Sequence, residues 1–356
     1  MEKKTIVLTG GGTAGHVTPN IALLPYLKKE GYKVYYIGSR NGMEKDIVKR
    51  YGMEFYGISS GKLRRYFDLK NFTDIFRVLK GIFQAKKLIK KLKPDIVFSK
   101  GGFVAVPVVI GAWFNKVNVV CHESDMTPGL ANKLAIPFAK AVCTTFPKTA
   151  ENIKGGKGVY TGTPIRDVLK KGDREKGLKL CSFGGEKPVL LIMGGSQGSV
   201  AVNKIVRQAL PKLTDRFDIV HLCGKGNKDM SLEEYPGYTQ FEYISKELPD
   251  IFACSDIVVS RAGSNAICEF LALNMPMLLI PLPLGASRGD QILNAKDFLA
   301  RGFARVCYEE DITEEKFLSE TDKLYTQRED YKNSMAKANM ENGTEAVMNV
   351  IKKYTK

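Results

Sequence analysis

Ser260-Arg261-Ala262-Gly263-Ser264-Asn265-Ala266-Ile267-Cys268-Glu269 connects two regular elements through one glycine-containing turn. Before it, residues 256–259 form a short run rich in β-branched apolar residues, which predicts a buried strand. After the turn, residues 267–273 carry apolar side chains at helical spacing. The chain is therefore predicted to run from a strand directly into a helix at this point.

The start of this helix carries the first functional signal. Its first turn presents backbone N–H groups and the positive end of the helix dipole beside Arg261. We expect Ser264 or Asn265 to cap the helix, with Glu269 about one turn further in. Such a site suits a nucleotide, because the dipole faces phosphate and Glu269 accepts from the ribose hydroxyls. An ordinary capped helix with a solvated glutamate fits the same residues, so the interpretation depends on the rest of the chain.

Strands and helices alternate along the whole sequence. The first half predicts strands at 5–9, 33–37, 95–99, 117–121 and 141–145 and helices at 18–30, 45–51 and 69–92. After a connection placed at 155–185, the second half predicts a helix at 200–210 and strands at 188–193, 218–222, 241–244, 256–259 and 277–280. Alternation of this kind is typical of an α/β protein with parallel sheets covered on both faces.

Length and periodicity together predict two domains. A chain of 356 residues is too long for one typical core. We expect a fold of two Rossmann-like, doubly wound parallel-sheet domains that face each other across a cleft. The first is predicted at 1–161, joined by a C-terminal helix at 341–356, and the second at 162–340.

The excess positive charge lies in the first half. The net charge is +16; residues 1–160 hold 27 Lys and Arg against 11 Asp and Glu, whereas residues 161–356 hold 27 of each. The first half should therefore face a membrane surface, a nucleic acid or a phosphorylated substrate. We expect no signal peptide and no membrane span. The seven cysteines, without a C-x-x-C pair, indicate buried thiols in a reducing cytosol.

Three glycine-rich turns follow predicted strands, at residues 10–16, 101–103 and 194–199. Glycine lets the backbone approach a phosphate closely, and the next helix start supplies N–H donors. The first turn formally matches the dinucleotide fingerprint, but Gly38-Ser39-Arg40 stands where an NAD enzyme has an acidic residue. A dehydrogenase is therefore a minor alternative. No Gly-Lys-Ser/Thr follows any of these turns, so a P-loop is excluded.

The three histidines receive different interpretations. His221 lies in an apolar predicted strand and is expected to be a satisfied core residue. His16 follows the first glycine turn, where a helix dipole disfavours the protonated ring and keeps it available as a base. His122-Glu123 either orients a loop or takes part in catalysis, and loop orientation is favoured. Without a D-x-D motif, we predict no obligatory catalytic metal and no cofactor.

A basic, amphipathic segment at residues 62–93 contains 11 Lys and Arg against two Asp. Its apolar residues recur at helical spacing, as in helices that lie in a lipid interface. Packing of this stripe on the sheet is the alternative. The candidate membrane residues are Ile75, Phe76, Leu79, Phe83 and, as an aromatic anchor, Trp113.

Taken in order, five motifs resemble the MurG family of GT-B-fold N-acetylglucosaminyltransferases. They are Gly11-Gly12-Thr13-Ala14-Gly15-His16, Gly101-Gly102-Phe103-Val104, His122-Glu123, Gly194-Gly195-Ser196-Gln197-Gly198 and Arg261-x-Gly263 with Glu269. The resemblance covers essentially the whole chain. It implies inverting transfer of GlcNAc from UDP-GlcNAc to the C4 hydroxyl of lipid I, at the cytoplasmic face of the cell membrane.

The resemblance also implies roles for individual residues. Catalysis falls to His16 and Glu123. The residues implied to bind UDP-GlcNAc are Thr13, Gly15, Asp125, Arg166, Ser196, Ile244, Ser264, Glu269 and Gln291. The residues implied to bind the acceptor diphosphate are Gly12, Ala14, Gly101 and Gly102.

The chain departs from the family pattern at three places. Ala14 replaces a usual glycine, Ser124-Asp125 replaces Gln-Asn, and Ser264-Asn265-Ala266 replaces Ala-Leu-Thr. The second departure puts a sugar contact by Asp125 in doubt. Two rival functions remain: a UDP-GlcNAc 2-epimerase, which needs no basic lipid-facing surface, and a nucleic-acid-binding protein, which leaves the Arg261 to Glu269 pattern without a purpose. The expected partners are UDP-GlcNAc, undecaprenyl-diphosphate-linked lipid I and an anionic membrane, with no nucleic acid.

Overall fold

The structure, a computed structural model, describes residues 4–61, 70–195, 197–338 and 343–356, without the side chains of 70–73 and 286. The chain divides into two units. The first comprises Met1–Arg166 with Met340–Lys356, and the second comprises Asp167–Asn339. The boundary between the two units lies after Arg166, whereas the sequence analysis placed it after residue 161.

The first unit contains a seven-stranded sheet whose strand pairs are all parallel. The strands are β1 (Thr5–Thr9), β2 (Lys33–Ser39), β3 (Glu54–Ile58), β4 (Ile96–Ser99), β5 (Asn118–Glu123), β6 (Ala141–Thr144) and β7 (Gly158–Tyr160). Their order is β3-β2-β1-β4-β5-β6-β7. Because β1 lies inside the sheet and helices cover both faces, its apolar residues are buried whichever way they point.

Helices cover the two faces of this sheet. They are α1 (Thr18–Lys29), α2 (Glu44–Arg50), α3 (Lys70–Leu92), α4 (Ala105–Phe114), α5 (Leu130–Ala135), α6 (Pro147–Asn152) and, from the end of the chain, α14 (Gly343–Tyr354). Ile6 and Leu8 of β1 join one core, which includes Ile351 of α14. Val7 joins the opposite core, which includes Ala85 of α3. Alternation along a single strand thus divides the unit into two apolar layers.

The second unit repeats the arrangement with a six-stranded parallel sheet. Its strands are β8 (Val189–Met193), β9 (Asp218–Leu222), β10 (Tyr238–Phe241), β11 (Ile257–Ser260), β12 (Met277–Leu279) and β13 (Ala304–Val306), in the order β10-β9-β8-β11-β12-β13. Its helices are α7 (Arg174–Cys181), α8 (Val200–Thr214), α9 (Leu248–Cys254), α10 (Ser264–Ala272), α11 (Asp290–Ala300), α12 (Glu314–Thr326) and α13 (Arg328–Lys337). The prediction of two doubly wound parallel sheets is confirmed.

Several sequence predictions were wrong in detail. The strands β3, β7 and β13 and the helix α4 were not predicted, and the proposed connection at 155–185 contains both β7 and α7. The predicted strand at 241–244 is β10, which ends at Phe241. The strand β5 continues through His122 and Glu123 instead of ending before them. Short edge strands such as β7 were missed because they lack a buried apolar run.

Two of the core predictions are confirmed. All seven cysteines are buried free thiols. His221 is fully buried, with Nδ1 2.7 Å from the Tyr238 hydroxyl and Nε2 3.0 Å from Oδ1 of Asn203. Burial lowers the pKa of His221 to about 3.

Acidification should destabilise the second unit through His221. In the unfolded chain its pKa is about 6.5, so between that pH and about 3 only the unfolded state binds the proton. The neutral ring therefore costs no stability above the unfolded pKa. Below that pH, the free energy of unfolding falls by about 1.4 kcal/mol per pH unit. His221→Gln should lower stability at pH 7 yet reduce its decline with acid. Urea unfolding measures both effects, with hydrogen exchange of the β9 amides as the readout.

The control is His16→Gln in the first unit, which should leave the pH dependence of β9 unchanged. A wild-type pH dependence in His221→Gln would contradict this account of the buried ring.

Candidate active site

A cavity of about 590 Å³ opens in the second unit at the carboxyl ends of β8, β11 and β12. The glycine turn after β8 and the starts of α8 and α10 contribute to its walls. Residues that line it include Gly194, Gly195, Gly198, Arg261, Gly263 and Gln291. Ligands of open α/β sheets bind at this edge, so the cavity is the candidate nucleotide site.

Glycine is required at two positions of the turn after β8 for different structural reasons. Gly198 has a φ of +77°, and a Cβ there would lie 2.0 Å from the carbonyl oxygen of Cys223. Gly195 has a φ of +92°, and the space where its Cβ would be is open. Gly198 therefore packs against the loop after β9, while Gly195 exposes backbone at the cavity. Ser196, predicted at the phosphates, lies outside the described residues.

Arg261 joins three loops around this cavity. Its side chain is buried, and Nη1 donates to the carbonyl oxygen of Ile280 at 3.1 Å. Nη2 donates to Oγ of Ser199 at 2.6 Å and forms an ion pair with Glu309. The sequence analysis placed the start of the helix beside Arg261, and the structure shows that the guanidinium holds the loops that follow β8, β12 and β13.

The start of α10 differs from the prediction. Gly263 occupies the N-cap position with extended φ and ψ, and no side chain caps the helix. Ser264 is already the first helical residue and is buried. The expected cap by Ser264 or Asn265 was therefore wrong. Gly263 and Ala266 line the cavity, so the uncapped first turn borders it.

Of the other predicted donor residues that the structure describes, only Gln291 is in the lining of the cavity. Glu269 is half-buried one turn into α10, and Gln291 lines the cavity, with Oε1 accepting from the Leu282 amide at 3.0 Å. Ile244 is buried in the loop after β10 and is not among the lining residues. Arg166 belongs to the first unit, so the second unit does not bring it to this cavity.

In the first unit, the glycine turns after β1 and β4 touch. Gly102 has a φ of +84°, and a Cβ there would lie 2.2 Å from the carbonyl oxygen of Gly11. Gly101 has a φ of +95°, and a Cβ there would lie 3.1 Å from Oδ1 of Asn132. Gly12 is exposed, with open space at its Cβ position. The structure thus brings two predicted phosphate-binding turns together.

His16 ends a short 3-10 turn that spans Ala14–His16 and includes Gly15. Its Nδ1 lies 3.0 Å from Oγ1 of Thr13. The helix α1 begins only at Thr18, so His16 precedes the helix instead of lying in its first turn. The contact with Thr13 therefore helps to orient the ring.

Glu123 is buried at the end of β5 with both carboxylate oxygens engaged. Oε1 accepts from the Asp125 amide at 3.0 Å; Oε2 accepts from the Gly129 amide at 3.0 Å and from Nδ2 of Asn132 at 2.8 Å. Burial and the Asp125 charge raise the pKa of Glu123. These contacts hold the loop from Ser124 to Gly129, and they favour the loop-orienting interpretation over a catalytic one.

Lys100 was missed by the sequence analysis. Its side chain is only 1% exposed, and Nζ contacts the Ser124 hydroxyl. Burial and the Lys100 charge hold the pKa of His122 well below its usual range, while Nε2 of His122 lies 2.9 Å from the Gly162 carbonyl oxygen. The position of a lysine directly before Gly101-Gly102 was the available signal. Its consequence is a buried cation beside the glycine turns.

The predicted membrane residues of α3 and α4 are exposed in the first unit. The exposed fractions are 48% for Ile75, 72% for Phe76, 48% for Leu79, 71% for Phe83 and 52% for Trp113. The opposite side of α3 is buried through Ala85 and Ile89. The apolar stripe is therefore not the face that packs on the sheet.

In the part of the chain that the structure describes, no group of three or more His, Cys, Asp or Glu side chains is placed to hold a metal ion. None of the described helices is both long enough and apolar enough to cross a membrane.

Comparison with known families accounts for both units. The glycosyltransferase family 28 N-terminal domain matches residues 6–144. The glycosyltransferase family 28 C-terminal domain matches residues 189–351.

A full-length relative and two solved structures are similar to this chain. The relative, from Clostridium botulinum (strain Loch Maree / Type A3), is 57% identical over 99% of this chain and 100% of its own; it is named UDP-N-acetylglucosamine--N-acetylmuramyl-(pentapeptide) pyrophosphoryl-undecaprenol N-acetylglucosamine transferase. The crystal structure of Acinetobacter baumannii MurG has a TM-score of 0.74 and 26% identity, covering 98% and 99% of the two chains. A UDP-N-acetylglucosamine 2-epimerase shares the fold alone, with a TM-score of 0.69 and 14% identity over 99% and 95%.

Replacing Arg261 with leucine should destabilise the second unit. The change leaves the Glu309 carboxylate without its cationic partner and the Ile280 carbonyl oxygen without its Arg261 donor. We expect a loss of about 3 kcal/mol, at the low end for a broken buried pair because Glu309 is partly exposed. Urea unfolding measures the loss in the free energy of unfolding, with hydrogen exchange of the β11 amides as the readout.

The matched control is Arg216→Leu, which breaks an exposed ion pair with Asp322 and should cost less than about 1 kcal/mol. Equal losses in the two variants would contradict the bracing role of Arg261.

Proposed function

The chain belongs to glycosyltransferase family 28, and we propose that it transfers N-acetylglucosamine from UDP-N-acetylglucosamine to lipid I, the undecaprenyl-diphosphate-linked muramoyl-pentapeptide. The product is lipid II, the glycosylated precursor of peptidoglycan. Support comes from the match of both family domains and from the name of a relative whose whole length this chain covers.

The observation that carries the donor half of this proposal is the cavity of the second unit. The backbone turn after β8 and the uncapped start of α10 meet there. Both offer N–H groups and partial positive charge to a diphosphate. Glu269 takes the ribose hydroxyls, Gln291 the sugar, and Ile244, Ser264, Ser196 and Arg166 complete the donor set.

The chemistry is a single displacement with inversion. The C4 hydroxyl oxygen of the muramoyl sugar attacks the anomeric carbon, and the bond from that carbon to the β-phosphate oxygen breaks. UDP leaves with the electron pair, while His16 takes the hydroxyl proton. The start of α10 and the turn after β8 stabilise the charge on UDP, so this proposal requires no metal.

The acceptor binds to the first unit. Its diphosphate lies at Gly12, Ala14, Gly101 and Gly102, a proposal supported by the contact between Gly11 and Gly102. Lys100 adds a buried positive charge next to these turns. Thr13, Gly15 and Asp125 contact the donor sugar from this unit, and Glu123 holds the loop that carries Asp125.

The exposed face of α3 and Trp113 binds the anionic cytoplasmic face of the cell membrane. Apolar side chains enter the lipid interface, and neighbouring exposed lysines such as Lys86, Lys87 and Lys90 meet lipid phosphates. A nucleic-acid partner would leave these exposed aromatic residues and the nucleotide cavity without a role.

Release of UDP tests the function. With UDP-N-acetylglucosamine and a short-chain lipid I analogue, the full chain should release UDP, and EDTA should not stop it. His16→Ala should lower turnover about 10²- to 10⁴-fold with near-normal affinity for the donor. A coupled assay measures turnover, and calorimetry measures donor binding.

Isomerisation of the donor without any transfer would assign the protein to the epimerase class. Wild-type turnover in His16→Ala would exclude this histidine as the base.

Removing the apolar face of α3 should separate membrane binding from donor binding. Because each buried apolar side chain contributes about 1.5–3 kcal/mol, Phe76→Ser, Leu79→Ser and Phe83→Ser together should weaken binding to anionic vesicles more than about a hundredfold. Affinity for UDP should not change. Vesicle sedimentation measures the first quantity and calorimetry the second.

The control replaces three exposed apolar residues of the second unit, Leu180, Met230 and Leu299, with serine. If both triple variants bind vesicles like the wild type, the α3 face is not the membrane surface.

A further inference from the structure

A second large cavity, of about 710 Å³, lies wholly within the first unit. It opens where β1, β2 and β3 end and α3 begins. Gly12 of the first glycine turn forms part of its wall, so the cavity adjoins the turn to which the acceptor diphosphate is assigned. None of the roles proposed above uses the rest of it.

Buried hydrogen bonds hold the walls of this cavity in place. Glu44 is fully buried, and its carboxylate accepts from the Ser39 amide at 2.7 Å and from the Gly12 amide at 3.3 Å. A Cβ at Gly42 would lie 2.2 Å from that carboxylate, so the loop after β2 closes tightly around it. One side chain thereby fixes the turn after β1 to the loop after β2.

The loop after β3 is fixed in the same manner. The Ser60 hydroxyl donates to the Ser39 hydroxyl at 3.0 Å, and the Ser59 amide donates to Oε1 of Gln84 at 2.7 Å. Ser59, Ser60 and Ser39 all line the cavity, and Gln84 lies on α3. The site is therefore formed before a ligand arrives, which reduces the entropy lost on binding.

The lining carries excess positive charge. Its charged side chains are Arg40, Arg77 and Lys80 against Asp74. Arg77 pairs with Asp74 at 3.2 Å. Within the described residues, neither Arg40 nor Lys80 has an acidic partner. These two exposed cations face a cavity whose remaining walls mix hydroxyl groups with the apolar side chains of Met43 and Ile58.

We propose that this cavity binds the peptide of the acceptor, with Arg40 and Lys80 pairing with its carboxylates. This inference rests on the proposed function. Any peptide that is not amidated ends in a carboxylate, which an arginine fork binds well. Cavities of about 300–1,000 Å³ enclose ligands much larger than a phosphate. The mixed lining suits a peptide better than it suits a second diphosphate.

Binding to the full chain tests the inference directly. The probe is a fluorescent muramoyl-pentapeptide without lipid or diphosphate, measured by anisotropy. Arg40→Ala and Lys80→Ala should each weaken its binding about tenfold, as should amidation of the peptide's C-terminus. Lys49→Ala, which removes an exposed cation of α2 outside the cavity, should bind like the wild type.

Turnover with two short-chain acceptor analogues provides the second readout. Arg40→Ala and Lys80→Ala should raise KM about tenfold for the analogue with the peptide, with kcat within about twofold, and leave KM unchanged for the analogue without it. An equal rise for both analogues would assign the cations to the diphosphate and overturn the inference, as would wild-type binding of the probe by both variants. Probe binding without UDP release would support the cavity assignment while contradicting the transferase.

Discussion

Parallel strand pairing is the constraint on which the rest of this molecule depends. Every strand pair among the described residues is parallel. The strands of each sheet therefore end at one edge, and the turns that follow them must lie side by side. In the first unit the crowding is tight enough that Gly102 contacts the Gly11 carbonyl. In the second unit, Arg261 lies between the loops and joins them through its hydrogen bonds. Each candidate site lies at the edge of its own sheet where the parallel strands end.

The sequence predicted the fold well where the signal was local. The bounds of β1 and β9 coincide with the prediction because each contains consecutive β-branched and other apolar residues that are buried on both faces of the sheet. The three-residue strands β7 and β13 have no such run, and only their neighbours in the sheet make them strands. The cap of α10 failed for a related reason: the turn geometry places Gly263, not a polar side chain, at the N-cap.

The candidate site divides along the same line. Gln291, in the first turn of α11, lines the predicted cavity because its motif position reports which strand it follows. Partners of Glu44, Glu123 and Lys100 lie on other loops or helices, and no linear pattern reports them. Glu123 is instructive, since a carboxylate beside a histidine suggests chemistry until its three donors are known. Polar residues that hold loops and polar residues that react look alike in sequence.

The origin of α14 has a consequence for how the chain reaches this structure. This last helix contributes Val347 and Ile351 to the core of the first unit, whereas the second unit is one continuous segment. During synthesis from the N-terminus, the residues of the second unit all emerge before the first unit can complete its core. The first unit must therefore wait, with the apolar surface beneath α14 uncovered, until α14 has been synthesised. Its closing contacts join residues more than 300 positions apart, such as the Tyr32 and Thr355 hydroxyls, and contacts of such separation form slowly.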